Sequence, residues 1–445
     1  MSVGMKRRDV LRAGAGAATL LAAGCASGAR GASGGVDWTA PPAGIDGAGR
    51  ERLAAAVQDR IAANEILGAV TAVARPDALL WYEAHGAKDF PARTPMTRDA
   101  IFRMMSSTKV VTSVAILQLM EQQRLSIDDP VSRYIPSFAN PRVAVAPDGW
   151  QAALQQDPSR RDAIVSQVRI EPAAREITIK DLLTHTAGLS AAYGLGAGPA
   201  SLINPNVPSS REITLADRIP QLGALALDFQ PGARFGYSPL DGMDVLLRIV
   251  EIVSGEDAET YLRRHLFEPL DMADTHFSVP AEKQARLLTL YGAANGSFTV
   301  HESILGEGST RYFSGGAGLY STVHDFINFH LMLLGRGTFN GQRLLRPETV
   351  ELMTTNHVGT MYAEWVPFLS RGMGFGLGVG IVVDPETTVT GRGRGAFGWG
   401  GGYGTEAWVE PSLNVAACHF VQNATPTPPG PAPAFARALR EVLAG

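Results

Sequence analysis

Phe102-Arg103-Met104-Met105-Ser106-Ser107-Thr108-Lys109 runs without a break into Val110-Val111-Thr112-Ser113-Val114-Ala115-Ile116-Leu117, and on this stretch the reading of the whole chain turns. It sets a serine three residues ahead of a lysine, just where helical apolar spacing begins and continues over residues 110–123. On a helix, side chains at i and i+3 are neighbours with Cβ atoms about 5–6 Å apart, so the Lys109 amine reaches the Ser106 hydroxyl. A serine hydroxyl is a weak nucleophile until an adjacent base takes its proton. An amine can do so only where burial and nearby positive potential, such as that of a helix N-terminus, bring its pKa down from about 10.4. Residue usage points the same way, because the chain carries 34 arginines and only five lysines. A position needing only a cation would take arginine; a group that must release a proton cannot be one. S-x-x-K by itself recurs by chance, so its surroundings have to support it.

Upstream, residues 51–66 have the periodicity of an opening helix, and residues 69–75 and 78–85 are short β-type runs joined by Pro76-Asp77, which predicts a hairpin. Downstream, the helix stops before the turn cluster Ser126-Ile127-Asp128-Asp129-Pro130. Residues 140–235 are Pro-rich and polar, with short helical pieces such as 179–184. Helices follow at 243–253, closed by Ser254-Gly255, and at 323–334. Gly-rich strands at 374–383, 397–409 and 415–421 precede a C-terminal helix over 434–443. Strands at both ends with helices between predict an α/β (α+β) fold. Its antiparallel sheet is flanked by helices and built from the N- and C-terminal segments, with an inserted, mainly helical domain. The expected division is 46–135 and 295–445 for the sheet domain and 136–294 for the insertion.

The N-terminus reads as an export signal. Lys6-Arg7-Arg8-Asp9-Val10-Leu11-Arg12 is basic and carries a twin arginine, and small apolar residues fill 13–24. Those twelve residues, rising about 1.5 Å each, cover about 18 Å of a hydrocarbon core about 30 Å thick, so the run does not span it. Leu21-Ala22-Ala23-Gly24-Cys25 resembles a lipobox, although Ala22 stands where leucine is commoner. Cys25 is therefore the expected lipidation site, and two acyl chains there would give stable attachment where one is marginal. Ordinary cleavage nearby, leaving a soluble product, is the alternative. Residues 1–24 are then a signal peptide and 25–45, rich in Gly, Ala, Ser and Pro, a flexible tether. The expected location is the bacterial periplasm or cell envelope, with membrane contact only through that anchor.

The chain has 445 residues, 45% hydrophobic and 18% charged, enough for two or three domains with real cores. A net charge of −4 lacks the basic excess that binding a phosphate backbone requires, which excludes nucleic acid as a partner. Cys25 and Cys418 lie at opposite ends, with no C-x-x-C, zinc spacing or disulfide framework. Two motifs mimic chemistry. Gly31-Ala32-Ser33-Gly34-Gly35 matches G-x-S-x-G but falls in the tether, where no strand–turn–helix could hold the serine. Gly393-Arg394-Gly395-Ala396-Phe397-Gly398 matches G-x-G-x-x-G but is followed by Trp399-Gly400-Gly401-Gly402-Tyr403-Gly404 rather than by a helix. The nine histidines include no H-E-x-x-H, and His324 and His330 lie about 120° apart on a helix, so no metal is expected.

Ser106-Ser107-Thr108-Lys109 is followed in order by Leu125-Ser126-Ile127-Asp128-Asp129-Pro130-Val131, then Ile177-Thr178-Ile179-Lys180-Asp181-Leu182-Leu183-Thr184-His185-Thr186-Ala187-Gly188-Leu189, then Phe313-Ser314-Gly315-Gly316-Ala317-Gly318-Leu319-Tyr320-Ser321-Thr322. Over about residues 50–440 this series resembles the serine β-lactamase and penicillin-binding-protein superfamily. Within it the chain is most similar to the class C branch and to the family VIII carboxylesterases. The resemblance implies that Tyr237-Ser238-Pro239 stands for the Y-x-N motif, with Tyr237 beside Lys109 as proton shuttle. Pro239 removes the amide that touches a β-lactam's side-chain amide. It further implies that Phe397-Gly398-Trp399-Gly400-Gly401-Gly402-Tyr403-Gly404-Thr405 is the third motif, similar to a W-G-G version. Trp399 then replaces the lysine that holds a substrate carboxylate, Trp399, Gly400 and Gly401 bind substrate, and the N–H groups of Ser106 and Gly402 form an oxyanion hole. Arg392 or Arg394 offers a substitute carboxylate anchor or is a solvated loop charge.

The implied activity is hydrolysis of small or short-chain carboxylic esters through an acyl-enzyme on Ser106. Lys109 and Tyr237 serve as general base and acid, without metal or organic cofactor, and which of the two is the base stays open. A small-molecule ester or β-lactam is the expected partner; oligomeric state stays open. A class C-like β-lactamase or D,D-peptidase, an acyltransferase and a non-catalytic, lipid-anchored binding protein are the alternatives.

Overall fold

The Asp46 carboxylate accepts the Gly49 N–H at 2.7 Å and starts α1 (Gly47–Ala62) earlier than the apolar periodicity indicates. The structure is a computed structural model that describes residues 36–189, 198–425 and 430–444. The expected signal peptide, Cys25 and the G-x-S-x-G at 31–35 lie outside the described residues. Within the stretch read as a tether, Trp38 is half-buried, donates to Asn328 Oδ1 at 3.2 Å and packs its ring edge-on to Tyr82.

β1 (Gly68–Arg75) and β2 (Ala78–Gly86) form the expected antiparallel hairpin. α2 (Thr108–Glu121) follows a 3-10 turn over Met105–Ser107. It is buried on every side, with Val110, Val111, Val114, Ile116 and Leu117 all but inaccessible. A helix apolar all round belongs at the centre of a molecule, and each such aliphatic side chain contributes about 1.5–3 kcal/mol by leaving water. The S-x-x-K motif is thus mounted on a helix buried along nearly its whole length. α4 (Asp241–Ser254) packs against it and α3 (Ile179–Leu183) packs against α4, which ends at Gly255 in the left-handed conformation at φ +77°. α5 (Val323–Leu334) lies across the sheet.

The sheet is completed by β3 (Met373–Phe375), β4 (Gly380–Val382), β5 (Phe397–Gly400), β6 (Thr405–Glu410) and β7 (Val415–Phe420), before α6 (Ala432–Ala444). Its order is β3-β4-β5-β6-β7-β1-β2, antiparallel throughout. β1 pairs with β7 in the register Thr71↔His419, so the two ends of the chain meet in mid-sheet as expected. Alternation along the strands splits the core. Trp408, Ala417 and Val73 face α1 and α6, where Leu53, Val57, Phe435 and Leu439 cover them. Ala72, Ala407 and Cys418 face the larger core, which takes in Val114 of α2, Leu182, Met243 and Phe326 and so runs through both the sheet and the inserted helices.

Two expected strands are hairpins instead. The run 374–383 divides into β3 and β4 around Gly376-Leu377-Gly378, and 397–409 divides into β5 and β6 around a turn in which the Gly404 N–H donates to Gly401 O at 2.8 Å. Apolar alternation continues through both turns because glycine carries no contrary polarity, so hydropathy alone misses them. The region 140–235 has the expected short helices, including Trp150–Gln156 and Leu215–Leu222, and adds a two-stranded ladder of Arg142–Val145 with Arg169–Pro172.

Candidate active site

Met105, at φ +47°, turns the chain sharply, a strained conformation for a residue with a side chain, and presents Ser106 in the 3-10 turn ahead of α2. Lys109, one turn on, is 1% exposed. Its Nζ lies 3.1 Å from Ser106 Oγ, 2.5 Å from Pro239 O and 2.7 Å from Gly316 O. Tyr237 Oη lies 2.8 Å from Ser106 Oγ, and Trp399 Nε1 donates to Tyr237 Oη at 3.3 Å. The three residues named from sequence therefore meet at one oxygen.

Among the described residues, the hydrogen-bond partners of Lys109 Nζ are two backbone carbonyls and the Ser106 hydroxyl, and no carboxylate pairs with it. Tyr237 donates to the same Ser106 oxygen and Trp399 to Tyr237.

Gly316 is held in turn by Asp244, a fully buried carboxylate. Its Oδ1 accepts the Gly316 N–H at 3.0 Å and the Ser314 hydroxyl at 2.8 Å, and its Oδ2 accepts the Tyr312 hydroxyl at 2.6 Å. Arg218 reaches Asp244 at 3.8 Å and Asp241 at 2.7 Å. Burial pushes the Asp244 carboxyl above its ordinary range against these partners. His185, behind Tyr237 at 4.7 Å between ring centres, accepts the Ser238 N–H on Nδ1 at 3.2 Å. Its burial, aided by the Lys109 charge, holds it well below the ordinary histidine range and so neutral. Asp244, Arg218 and His185 were not singled out from sequence. A charged residue on the buried face of an otherwise apolar helix, as Asp244 is on α4, was the available signal.

The β5–β6 turn completes the site. Gly401 lies so close to the segment leading into Ser106 that a Cβ there would meet Met104 O at 2.2 Å, so only glycine allows the approach. A clasp locks the contact: Thr405 Oγ1 donates to Met104 O at 2.9 Å and Ser107 Oγ to Thr405 O at 2.9 Å. Among the described residues, the N–H groups of Ser106 and Gly402 have no hydrogen-bond acceptor. Ser106, Tyr237, Trp399 and Gly400–Gly402 line one cavity of about 600 Å³, whose other walls include Tyr362, Trp365 and Met373. Arg394 is exposed and donates to Val383 O, away from this cavity. Arg392 is buried rather than solvated, and lines the cavity paired with Glu406.

The model of the Beta-lactamase family matches residues 53–441. This chain belongs to the β-lactamase family. It is a serine hydrolase of that family, related to carboxylesterases. Esterase EstB of Burkholderia gladioli is 30% identical over 297 residues, which cover 62% of this chain and 68% of that protein. Protein Rv1367c of Mycobacterium tuberculosis is 36% identical over 312 residues, covering 68% of this chain and 71% of that one. Among solved structures, "EstCE1, a hydrolase with promiscuous acyltransferase activity" superposes with a TM-score of 0.69 at 25% identity, covering 89% of this chain and 98% of its own. A penicillin-binding protein homologue from Pyrococcus abyssi, at 22% identity and TM-score 0.63, has the same fold, covering 89% of this β-lactamase-family chain and 77% of its own.

Proposed function

We propose that this protein hydrolyses small carboxylic esters through an acyl-enzyme on Ser106. Ser106 Oγ bonds to the ester carbonyl carbon as its proton passes to the Lys109 amine. The resulting oxyanion is held by the Ser106 and Gly402 N–H groups. As the C–O bond to the alcohol breaks, Tyr237 gives its proton to the departing oxygen and is reprotonated from Lys109. Water then attacks the acyl carbon by the same route in reverse.

The observation that carries this reading is the sharing of Ser106 Oγ between Lys109 Nζ at 3.1 Å and Tyr237 Oη at 2.8 Å. Neutral esters are favoured over β-lactams because Trp399 presents an indole where a carboxylate anchor would stand. The exported, lipid-anchored location expected from residues 6–25 is a further part of the proposal, resting on the sequence of that segment.

Incubation with a fluorophosphonate probe, together with rates on p-nitrophenyl butyrate and nitrocefin, tests the reading. The native protein should label and turn over the butyrate faster than nitrocefin. Ser106→Ala should not label and should lose at least about ten-thousand-fold in kcat. A Ser106→Ala protein that hydrolyses the butyrate at the native rate overturns the assignment, and faster nitrocefin turnover overturns the substrate class.

A further inference from the structure

Besides its aromatic rings, the cavity lining includes Thr390 and a charged pair, Arg392 and Glu406. The Arg392 side chain is 9% exposed, and its Nη2 donates to Glu406 Oε2 at 2.6 Å. Its guanidinium carbon sits 4.5 Å from the centre of the Trp408 ring. Glu406 is 32% exposed, and its other oxygen, Oε1, accepts no hydrogen bond from any described residue.

That free oxygen is packed against the strand edge. Glu406 stands opposite Gly400 in the β5–β6 register, and a Cβ on Gly400 would meet Oε1 at 2.1 Å. A side chain at 400 would therefore displace the carboxylate. Glu406 and Arg392 both line the cavity, and the unpaired Oε1 is the acceptor this pair leaves there.

We propose, resting on the hydrolase reading above, that Glu406 determines specificity. The part of the cavity wall at Glu406 is a subsite for esters carrying a hydrogen-bond donor, an ammonium or hydroxyl group, at the end remote from the reacting carbonyl. Arg392 holds the carboxylate in place through its Nη2. The same pair that admits a cationic or hydroxylated tail repels an anionic one.

The test uses three p-nitrophenyl esters of equal reach: 6-aminohexanoate, hexanoate and hydrogen adipate. A second set places the same three end groups on the alcohol side of butyrate esters, so that whichever half of the substrate reaches Glu406 is read. In one set the native enzyme should prefer ammonium over carboxylate by about tenfold or more in kcat/KM. Glu406→Gln, which keeps the shape and removes the charge, should cut the ammonium ester about tenfold and raise the carboxylate ester, moving the neutral ester far less than either. Absence of any charge preference in the native enzyme, in both sets, overturns the proposal without recourse to a variant. So does a preference that survives Glu406→Gln unchanged while hexanoate is still hydrolysed. Failure of the native enzyme to hydrolyse any neutral ester overturns the hydrolase reading itself, and the subsite with it.

Discussion

Two buried basic side chains stand by the Ser106 cavity, Lys109 behind the serine and Arg392 in the lining, and their surroundings differ. Lys109 is surrounded by neutral acceptors, the carbonyls of Pro239 and Gly316 and the Ser106 hydroxyl. Arg392 is tied to a carboxylate and stacked over Trp408. A carboxylate beside Lys109 would stabilise the ammonium and hinder loss of its proton, whereas beside Arg392, which never loses its proton, the pair is a fixed dipole. On the proposed mechanism, the group that moves a proton has dipoles for neighbours, and the one that holds a shape has a counter-charge.

Exchanging the two cation types tests this contrast most severely. Lys109→Arg should reduce kcat on p-nitrophenyl butyrate by about a thousandfold, since guanidinium cannot accept the Ser106 proton, and a bell-shaped pH–rate profile left intact by that change would contradict the role given to Lys109. The turn that carries Gly401 comes next. Gly401→Ala drives a Cβ against Met104 O and pushes the Gly402 N–H off the nucleophile, so kcat should fall about a hundredfold while KM changes little. A purely structural glycine would show up instead as a lower unfolding midpoint with kcat intact in the folded fraction. The smallest effect belongs to Arg392→Lys, which keeps the charge and loses the planar stack on Trp408. Neutral-ester turnover should drop less than tenfold and stability by about 1 kcal/mol in urea unfolding, and a loss as large as that of Lys109→Arg would erase the distinction between the two side chains.

The hairpin of β1 and β2, the buried helix α2 and the closing helix α6 were legible because each is a local pattern: alternation, unbroken apolar periodicity, a turn signal at Pro76-Asp77. Ser106 and Lys109 were legible for the same reason, since three residues on a helix fix their proximity. Tyr237 and Trp399 came from motif resemblance, without which 131 and 290 residues of separation from Ser106 and Lys109 conceal any contact. The division of residues 397–409 into two strands was not legible, although that turn is what brings Gly402 to the cavity that Ser106 lines. For Arg392 the sequence left open a carboxylate anchor or a solvated loop charge, and its burial beside Glu406 and Trp408 removes the second.

Sequence alone determined which groups could do the chemistry, because side-chain pKa, nucleophilicity and donor count belong to residue types and to neighbours a few positions away. Tertiary structure alone decided what surrounds each of them: two carbonyls at Lys109, a buried Asp244 steadying one of those carbonyls through its own N–H, a carboxylate across from Gly400. Those partners come from segments far apart in the chain. Their meeting depends on strand order and on close approaches measured in tenths of an ångström, which no local pattern encodes.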